Sequence, residues 1–490
     1  MMSVALTARP AVRGAAPVLQ RVAFVALLAV AVAVPRMREA PFPAVFDAWS
    51  LLPFCGLVLV VLVDVRRPLQ LPHLDLLVFL SLVLAIAFAG GSGWAWSMLV
   101  LYPQLVYLAA RTFLLARAQQ VPVAGLRSQL PRSWLIVGLL ALIAVHLAWE
   151  LPAGTYMDVA SDSIQGALRI VHGLPLYVRS PPGSAAYGPS NYLAYIPFAS
   201  LISSGEAASR LATIAFTMLT AALLFLLGRR ERGTDTGMLL AFCWLALPFT
   251  LFEDATGFND SLVAASLVAT LLCVRRPRSA GVAAAIAGWT KLSPLALVPL
   301  LAIRRSRHDL ALFAGAFVVT TGLLFVPAFA HSTPSEFLSQ TVGYQSTRLQ
   351  TNTIWAVLFR LSLTHGAHWL IIVSAILHAL TIAIAVSTAL LLPREKLRDD
   401  LAGIAAASAA ILLLFELSLN YFAYSYILWF APLLLITLIL GHARANLEDT
   451  GARPATRAPG AGRRSLEGFR QRARPGRLQN SDRVGSFGAT

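Results

Sequence analysis

The residues best suited to chemistry are carboxylates and cations set in or beside apolar segments. Asp158 and Asp162 fall in Asp158-Val-Ala-Ser-Asp162, and the stretch continues to His172. From Val159 to His172, Ile164, Leu168 and Val171 share one helical face, while Asp162, Gln165, Arg169 and His172 line the other. That pattern predicts an amphipathic helix suited to a membrane interface, stopped by Gly173 and Pro175. A positioned carboxylate can take a proton from a hydroxyl as its oxygen attacks a carbon. The plainer readings are that Asp158 caps the helix and Asp162 is a solvated face residue. His172 is a solvated residue or a substrate contact, with no metal-ligand spacing around it.

Other acids gather on the same side of the predicted topology. Glu150 flanks the same loop, Glu253, Asp254 and Asp260 occupy a tight external turn, and Glu416 lies near the outer end of a late helix. Charges at membrane depth are costly and mark functional candidates, so a shared outer-face acidic cavity is expected. Asn259 or Asp260 also reads as a cap for the helix that follows. Lys291 interrupts an apolar run beside Gly288-Trp-Thr290, where it either snorkels to an interface or neutralises a phosphate. Arg348, closing Gly343-Tyr-Gln-Ser-Thr-Arg348, is a second candidate cation. Tyr187, Tyr192 and Tyr195 suit an aromatic interface belt or sugar stacking.

The elements that must position these residues are membrane helices. The 490 residues are 57% hydrophobic and 13% charged, about half the charged fraction of a soluble domain. Continuous rather than alternating apolar runs select helices over a barrel. Candidate spans fall at approximately 18–35, 45–64, 73–90, 95–116, 133–150, 207–228, 236–253, 260–274, 310–330, 367–392, 400–419 and 421–441. The first run reads as a retained span, since Pro35-Arg-Met-Arg38 follows it where a cleavage site would stand. Cys55, Cys243 and Cys273 all lie in apolar segments and read as buried hydrophobes. The fold class expected is all-α: a polytopic transmembrane bundle of about 12–14 helices with external juxtamembrane helices.

The net charge of +16 resides in short loops and the tail, where it sets topology and implies no nucleic acid. Arg66-Arg67, Arg117 with Arg127 and Arg132, Arg229-Arg230 with Arg232, Arg275-Arg276 with Arg278, Arg304-Arg305 with Arg307, and Arg394 with Lys396 and Arg398 mark the cytoplasmic side. Both termini then lie inside, in the cytoplasmic (inner) membrane of a cell. Two apolar stretches break the simple count. Ala280 to Ile303 lies between two cytoplasmic clusters, so it must cross an even number of times, as a pair of short helices or a re-entrant hairpin. Tyr187 to Ser203 must lie on the outer surface. Three regions follow: 1–132, helices and a linker; 133–441, with external loops 151–206 and 331–366; and 442–490, a basic disordered tail.

Four stretches, in this order and placement, resemble the C-type (GT-C) superfamily of glycosyltransferases. They are Asp158 to Asp162 with His172-Gly-Leu-Pro-Leu-Tyr177, Tyr187-Gly-Pro-Ser-Asn-Tyr192 through Pro197, Asn259-Asp260, and Thr290-Lys-Leu-Ser-Pro294. The resemblance covers roughly 133–441 and is strongest to family 87, whose members use polyprenyl-phosphate mannose. It implies an acidic catalytic base in the first large external loop. Asp162 matches best, and Asp158 is its rival. A polyprenyl-phosphate sugar carries its own leaving group, so one carboxylate base suffices and direct displacement inverts the anomeric centre. Lys291, Arg348 or Arg169 would meet the phosphate, with His172, Tyr187, Asn259 and Asp260 as further substrate contacts. The lipid tail would enter beside the run Ala280 to Gly288. The implied partners are the lipid-linked donor, a glycan, glycolipid or protein acceptor, and membrane lipids. No cofactor is called for, although a divalent cation remains compatible. The competing reading is a secondary transporter or a lipid-linked sugar flippase, against which the lack of an inverted repeat counts.

Overall fold

The computed structural model describes residues 10–33, 48–68, 70–88, 93–117, 125–148, 157–178, 183–303, 305–348, 350–394 and 400–441. Glu150, Lys396, Arg398 and the tail from 442 lie outside the described residues. Within 1–443, which forms one compact unit, the described residues are helical and hold no strand, and Thr351 and Tyr421 form a single isolated bridge.

The first helices are α1 (Pro10–Ala33), α2 (Ala48–Leu62), α3 (Leu71–Ser81), α4 (Val83–Ala87), α5 (Trp94–Arg117) and α6 (Arg132–Ala148). The expected span 73–90 is thus two helices, broken at Leu82. Next come the loop helices α7 (Asp158–Val171) and α8 (Pro189–Leu201), followed by α9 (Gly205–Arg232), α10 (Thr234–Leu245), α11 (Pro248–Thr256), α12 (Asp260–Cys273) and α13 (Pro277–Gly288). After a short 3-10 segment, Ser293–Leu297, the chain continues as α14 (Val298–Ile303) and α15 (Arg307–Phe329). The second loop holds α16 (Pro334–Leu338), α17 (Tyr344–Thr347) and α18 (Ile354–Thr364). The last long helices are α19 (Trp369–Leu391), α20 (Leu401–Leu417) and α21 (Ile427–Leu440).

Among the described residues four helices, α5, α9, α15 and α19, are long and apolar enough to cross a membrane, and α10 with α11 forms a further bent candidate. The expected span 236–253 is bent, the chain turning by 53° between α10 and α11. Pro248 has no amide hydrogen to continue the helix ladder. The Thr250 hydroxyl instead donates to the Leu247 carbonyl at 2.7 Å, occupying an acceptor at the bend. Glu253 and Asp254 accordingly sit in a buried helix rather than in an external turn.

The expected hairpin at 280–303 is present as α13, a break at Trp289–Leu292, and the pair of short helical segments after it. Its two ends meet: the Arg305 guanidinium donates to the Val274 carbonyl at 3.0 Å. Nearby, Arg275 pairs with Glu231 at 2.9 Å and Arg232 donates to the Gly441 carbonyl at 3.3 Å. The basic loops around Arg232, Arg275 and Arg305 therefore lie near one another.

Only 6% of the apolar stretch of α15 and 17% of that of α19 is buried. In water such surfaces would be a large exposed apolar patch; in lipid they are ordinary, and this is a membrane protein. Cys55 and Cys243 are buried, Cys273 is half-buried, and all three are free.

Candidate functional site

The break after α13 delivers Lys291 to the protein interior. Gly288 ends that helix against the Leu295 side chain, and the Thr290 hydroxyl donates to the Ile286 carbonyl at 2.8 Å. The Lys291 ammonium pairs with Oδ1 of Asp260, the first residue of α12. The same carboxylate oxygen accepts the Trp429 indole N–H at 2.6 Å. Around the ammonium stand the rings of Tyr187, Tyr426 and Trp429, with centroids at 5.4, 5.3 and 5.6 Å. An aromatic wall and one carboxylate hold this cation in place with little freedom.

The N-terminus of α12 is capped from elsewhere. Glu253 Oε1 accepts the amide hydrogens of Asp260 and Ser261, the latter at 2.8 Å. Asn259 does occupy the capping position, but its side chain makes no capping bond and Asp260 is already helical. The capping expectation for these two residues is thereby corrected, and Asp260 is left available for Lys291. Gly257, at φ 66° in the left-handed region, ends α11 and turns the chain toward α12.

A cavity of about 680 Å³ opens beside this pair. Lys291, Arg348, Tyr187, Tyr421, Tyr426 and Trp429 are among its lining residues. Arg348 lies over the Tyr421 ring, 3.4 Å from its centroid. The expected acidic cavity is therefore corrected to a cationic and aromatic one. Asp260 stands behind Lys291. Glu416 is fully buried. Asp254 turns away altogether: it bonds His146 Nδ1 at 2.5 Å and accepts from the Thr217 hydroxyl at 2.9 Å. Buried charges need such partners, so this group ties α6 and α9 to α11.

Helix α7 forms as its pattern implies, and its apolar face packs on protein at Ile164 and in part at Leu168, while Val171 is exposed. Ile164 and Ala167 pack with Tyr195, Ala208 and Phe216 of α8 and α9. Gly166 lies so close to the Tyr192 ring that a Cβ there would overlap it. A polar ladder continues the seam: Asn259 Nδ2 donates to Asn191 Oδ1 at 2.8 Å, and Asn191 Nδ2 to Ser163 Oγ at 3.1 Å. Tyr192 and Tyr195 are fully buried, so the interface-belt reading fails for them. Gly188 allows α8 to dock on the hairpin, because its backbone meets the Trp289 carbonyl, which accepts from Ser190 N at 3.0 Å.

Asp162 points from the partly covered side of α7. Burial, with the neighbouring Asp158 charge, pushes its carboxyl up to about 6, while Arg169 draws it down. It lies within electrostatic range of the Tyr187 and Tyr192 hydroxyls. Asp158 is exposed, is the first helical residue rather than the cap, and accepts the Val159 amide at 2.8 Å. Arg169 reaches the Pro175 carbonyl at 3.5 Å, and His172 is exposed at the end of α7. Among the described residues no group of His, Cys, Asp and Glu is arranged to hold a metal ion.

The structure thus brings Tyr187, Asp260, Lys291 and Arg348 together, and places Asn259 in the ladder behind them. Asp158, Asp162, Arg169 and His172 are not among the residues lining the cavity. Sequence reasoning passed over Asn420, Tyr421, Tyr426 and Trp429. The aromatic run Asn420-Tyr-Phe-Ala-Tyr-Ser-Tyr426 was the available signal, since it interrupts what otherwise reads as two adjacent spans.

Residues 185–419 match the model of glycosyltransferase family 87, narrower than the 133–441 of the resemblance. Lys291, Arg348, Asn259 and Asp260 lie inside the match, and Asp158 and Asp162 precede it. No curated protein and no solved structure matches the chain.

Proposed function

Because residues 185–419 match the model of glycosyltransferase family 87, we propose that this chain is a membrane glycosyltransferase that moves mannose from a polyprenyl-phosphate donor to a hydroxyl acceptor. The acceptor is a lipid, glycan or protein at the outer face of the cytoplasmic membrane. The observation that supports the reading is the cavity with two cations, Lys291 and Arg348, on aromatic walls, one of which, Tyr187, lies within electrostatic range of the half-buried Asp162.

In this reaction the acceptor oxygen attacks the anomeric carbon while Asp162 takes its proton. The bond between that carbon and the phosphate oxygen breaks, and its electron pair leaves with the lipid phosphate. Lys291 and Arg348 meet the charge that grows on the leaving group. Displacement in one step inverts the anomeric centre. Asp260 holds the ammonium in position before donor arrives, so little reorganisation accompanies the reaction.

Of the run Ala280 to Gly288, Gly281 packs against the Phe313 backbone of α15, while Val282 and Ile286 are exposed. Leu292, Ile382 and Phe415 line the cavity. With Ile382 of α19 in that lining, the tail enters beside α19, a helix left largely bare for lipid. In the same proposal residues 1–132 are accessory helices, 133–441 the catalytic region and 442–490 a cytoplasmic tail.

Membranes carrying wild type or Asp162→Asn, supplied with radiolabelled polyprenyl-phosphate mannose and candidate acceptors, provide the test. Transfer by wild type and its loss in the variant at equal expression is the expected result. Transfer that survives the substitution overturns Asp162 as the base, and failure of wild type with every sugar donor overturns the reaction.

A further inference from the structure

The segment Ser418–Tyr426 between α20 and α21 supplies Ser418, Leu419, Asn420, Tyr421 and Tyr426 to the cavity. It has almost no regular structure of its own, so anchors elsewhere must fix it. Trp355 Nε1 donates to the Leu417 carbonyl at 3.3 Å, His378 Nε2 to the Ser418 carbonyl at 2.9 Å, and Thr351 N to the Asn420 carbonyl at 3.1 Å. All three anchors come from the second loop and α19, inside the family match.

The fourth anchor does not. Ser97 is fully buried in the first turn of α5, outside residues 185–419. Its hydroxyl lies 2.6 Å from the Ala85 carbonyl and 2.6 Å from the Tyr424 hydroxyl. A carbonyl can only accept, so the single serine proton goes to Ala85 and Tyr424 must donate to Ser97. Tyr424 is thereby drawn away from the cavity toward α5. Its neighbours Tyr421 and Tyr426 face the other way, toward Arg348 and Lys291. The rest of α5 is suited to serve as a fixed post, since it lies along α20 and its Tyr102 packs edge-on against Trp355 with centroids 6.2 Å apart.

We infer that Ser97 is a positioning residue for donor binding, acting through Tyr424 on the segment that carries Tyr421 and Tyr426. The N-terminal helices then complete the site. This rests on the donor reading given above. Ser97→Ala should raise the donor KM roughly three- to tenfold, the worth of one buried hydrogen bond, with kcat little changed. Tyr424→Phe removes the same bond from its other end and should give the same shift. The double variant should be no worse than either, and Ser97→Thr should restore the wild-type KM.

The kinetic arm uses radiolabelled polyprenyl-phosphate mannose, and a second arm needs no substrate. Amide hydrogen exchange of residues 418–426 should quicken in Ser97→Ala and in Tyr424→Phe while exchange in α9 and the Tm stay unchanged. If wild type transfers no mannose, the donor reading fails, and the exchange arm still decides whether Ser97 holds the segment. Unchanged exchange at 418–426, additive effects in the double variant, or a general rise in exchange with a lower Tm would each overturn the inference.

Discussion

Lys291 and Asp260 are joined across thirty-one residues of sequence, the cation from a broken hairpin and the carboxylate from the first turn of α12. The ammonium also faces the cavity, so one group serves both the fold and the candidate reaction. The two roles separate in a double variant. Lys291→Met leaves a buried carboxylate without its cation, at a cost of about 3–5 kcal/mol, and should lower the Tm in detergent. Asp260→Asn combined with Lys291→Met should recover most of that stability. Transfer should nevertheless remain at least about 100-fold below wild type, because the phosphate has lost its cation. Activity returning with stability would assign Lys291 to the fold alone.

Asp162 should impose an acid limb on the rate. Its carboxyl is held at about 6, above the ordinary 3.8, by burial and by Asp158. Only the carboxylate can accept a proton, so kcat/KM should fall as pH drops through about 6 and level off above. Removing the Asp158 charge with Asp158→Asn should shift the limb to lower pH and cost less than about tenfold in rate. A limb that stays in place would mean that Asp158 does not act on this group.

The same raised value has a stability consequence with a definite sign. The folded protein binds the Asp162 proton more tightly than the unfolded chain does, so ionisation at neutral pH works against folding. Asp162→Asn should therefore raise the Tm slightly at pH 7. The gain should disappear as pH falls through about 6 toward the unfolded value. A lower Tm at pH 7 would show that the carboxylate is stabilised by partners not described above.

Gly188 should not tolerate a side chain. A Cβ there would strike the Trp289 carbonyl, backbone that cannot yield. Gly188→Ala should cost about 1–3 kcal/mol through forced separation of α8 from the hairpin. Thermal unfolding of the purified variant measures this, and an unchanged Tm would show that the docking is loose.

Reporter fusions test the orientation proposed for the bundle. A fusion after residue 180 should report the outer face and one after residue 279 the cytoplasm. Residue 279 reporting outside would reverse the positive-inside assignment for the hairpin.

Much was legible in the chain itself. Continuous apolar runs determined an all-helical membrane protein, because lipid leaves the backbone no other way to satisfy its polar groups. Two arginine clusters flanking one apolar run determined the hairpin at 280–303, and the meeting of Arg305 with Val274 accords with it. The amphipathic pattern of 159–172 likewise yields α7. Only the tertiary structure decided what those elements face. Periodicity tells an apolar stripe from a polar one, but not lipid from protein, so the stripe of α7 covers α8 and α9 and Tyr192 and Tyr195 are core. Nor does sequence assign partners: Asp254 goes to His146, Glu253 to the amides of α12, and Asp260 to Lys291. Asp254 thus separates from the other acids, while Glu253 and Glu416 stay within electrostatic range of Asp260. The walls fell instead to Tyr421, Tyr426 and Trp429, brought beside Lys291 by a turn that hydropathy reads only as a gap between helices.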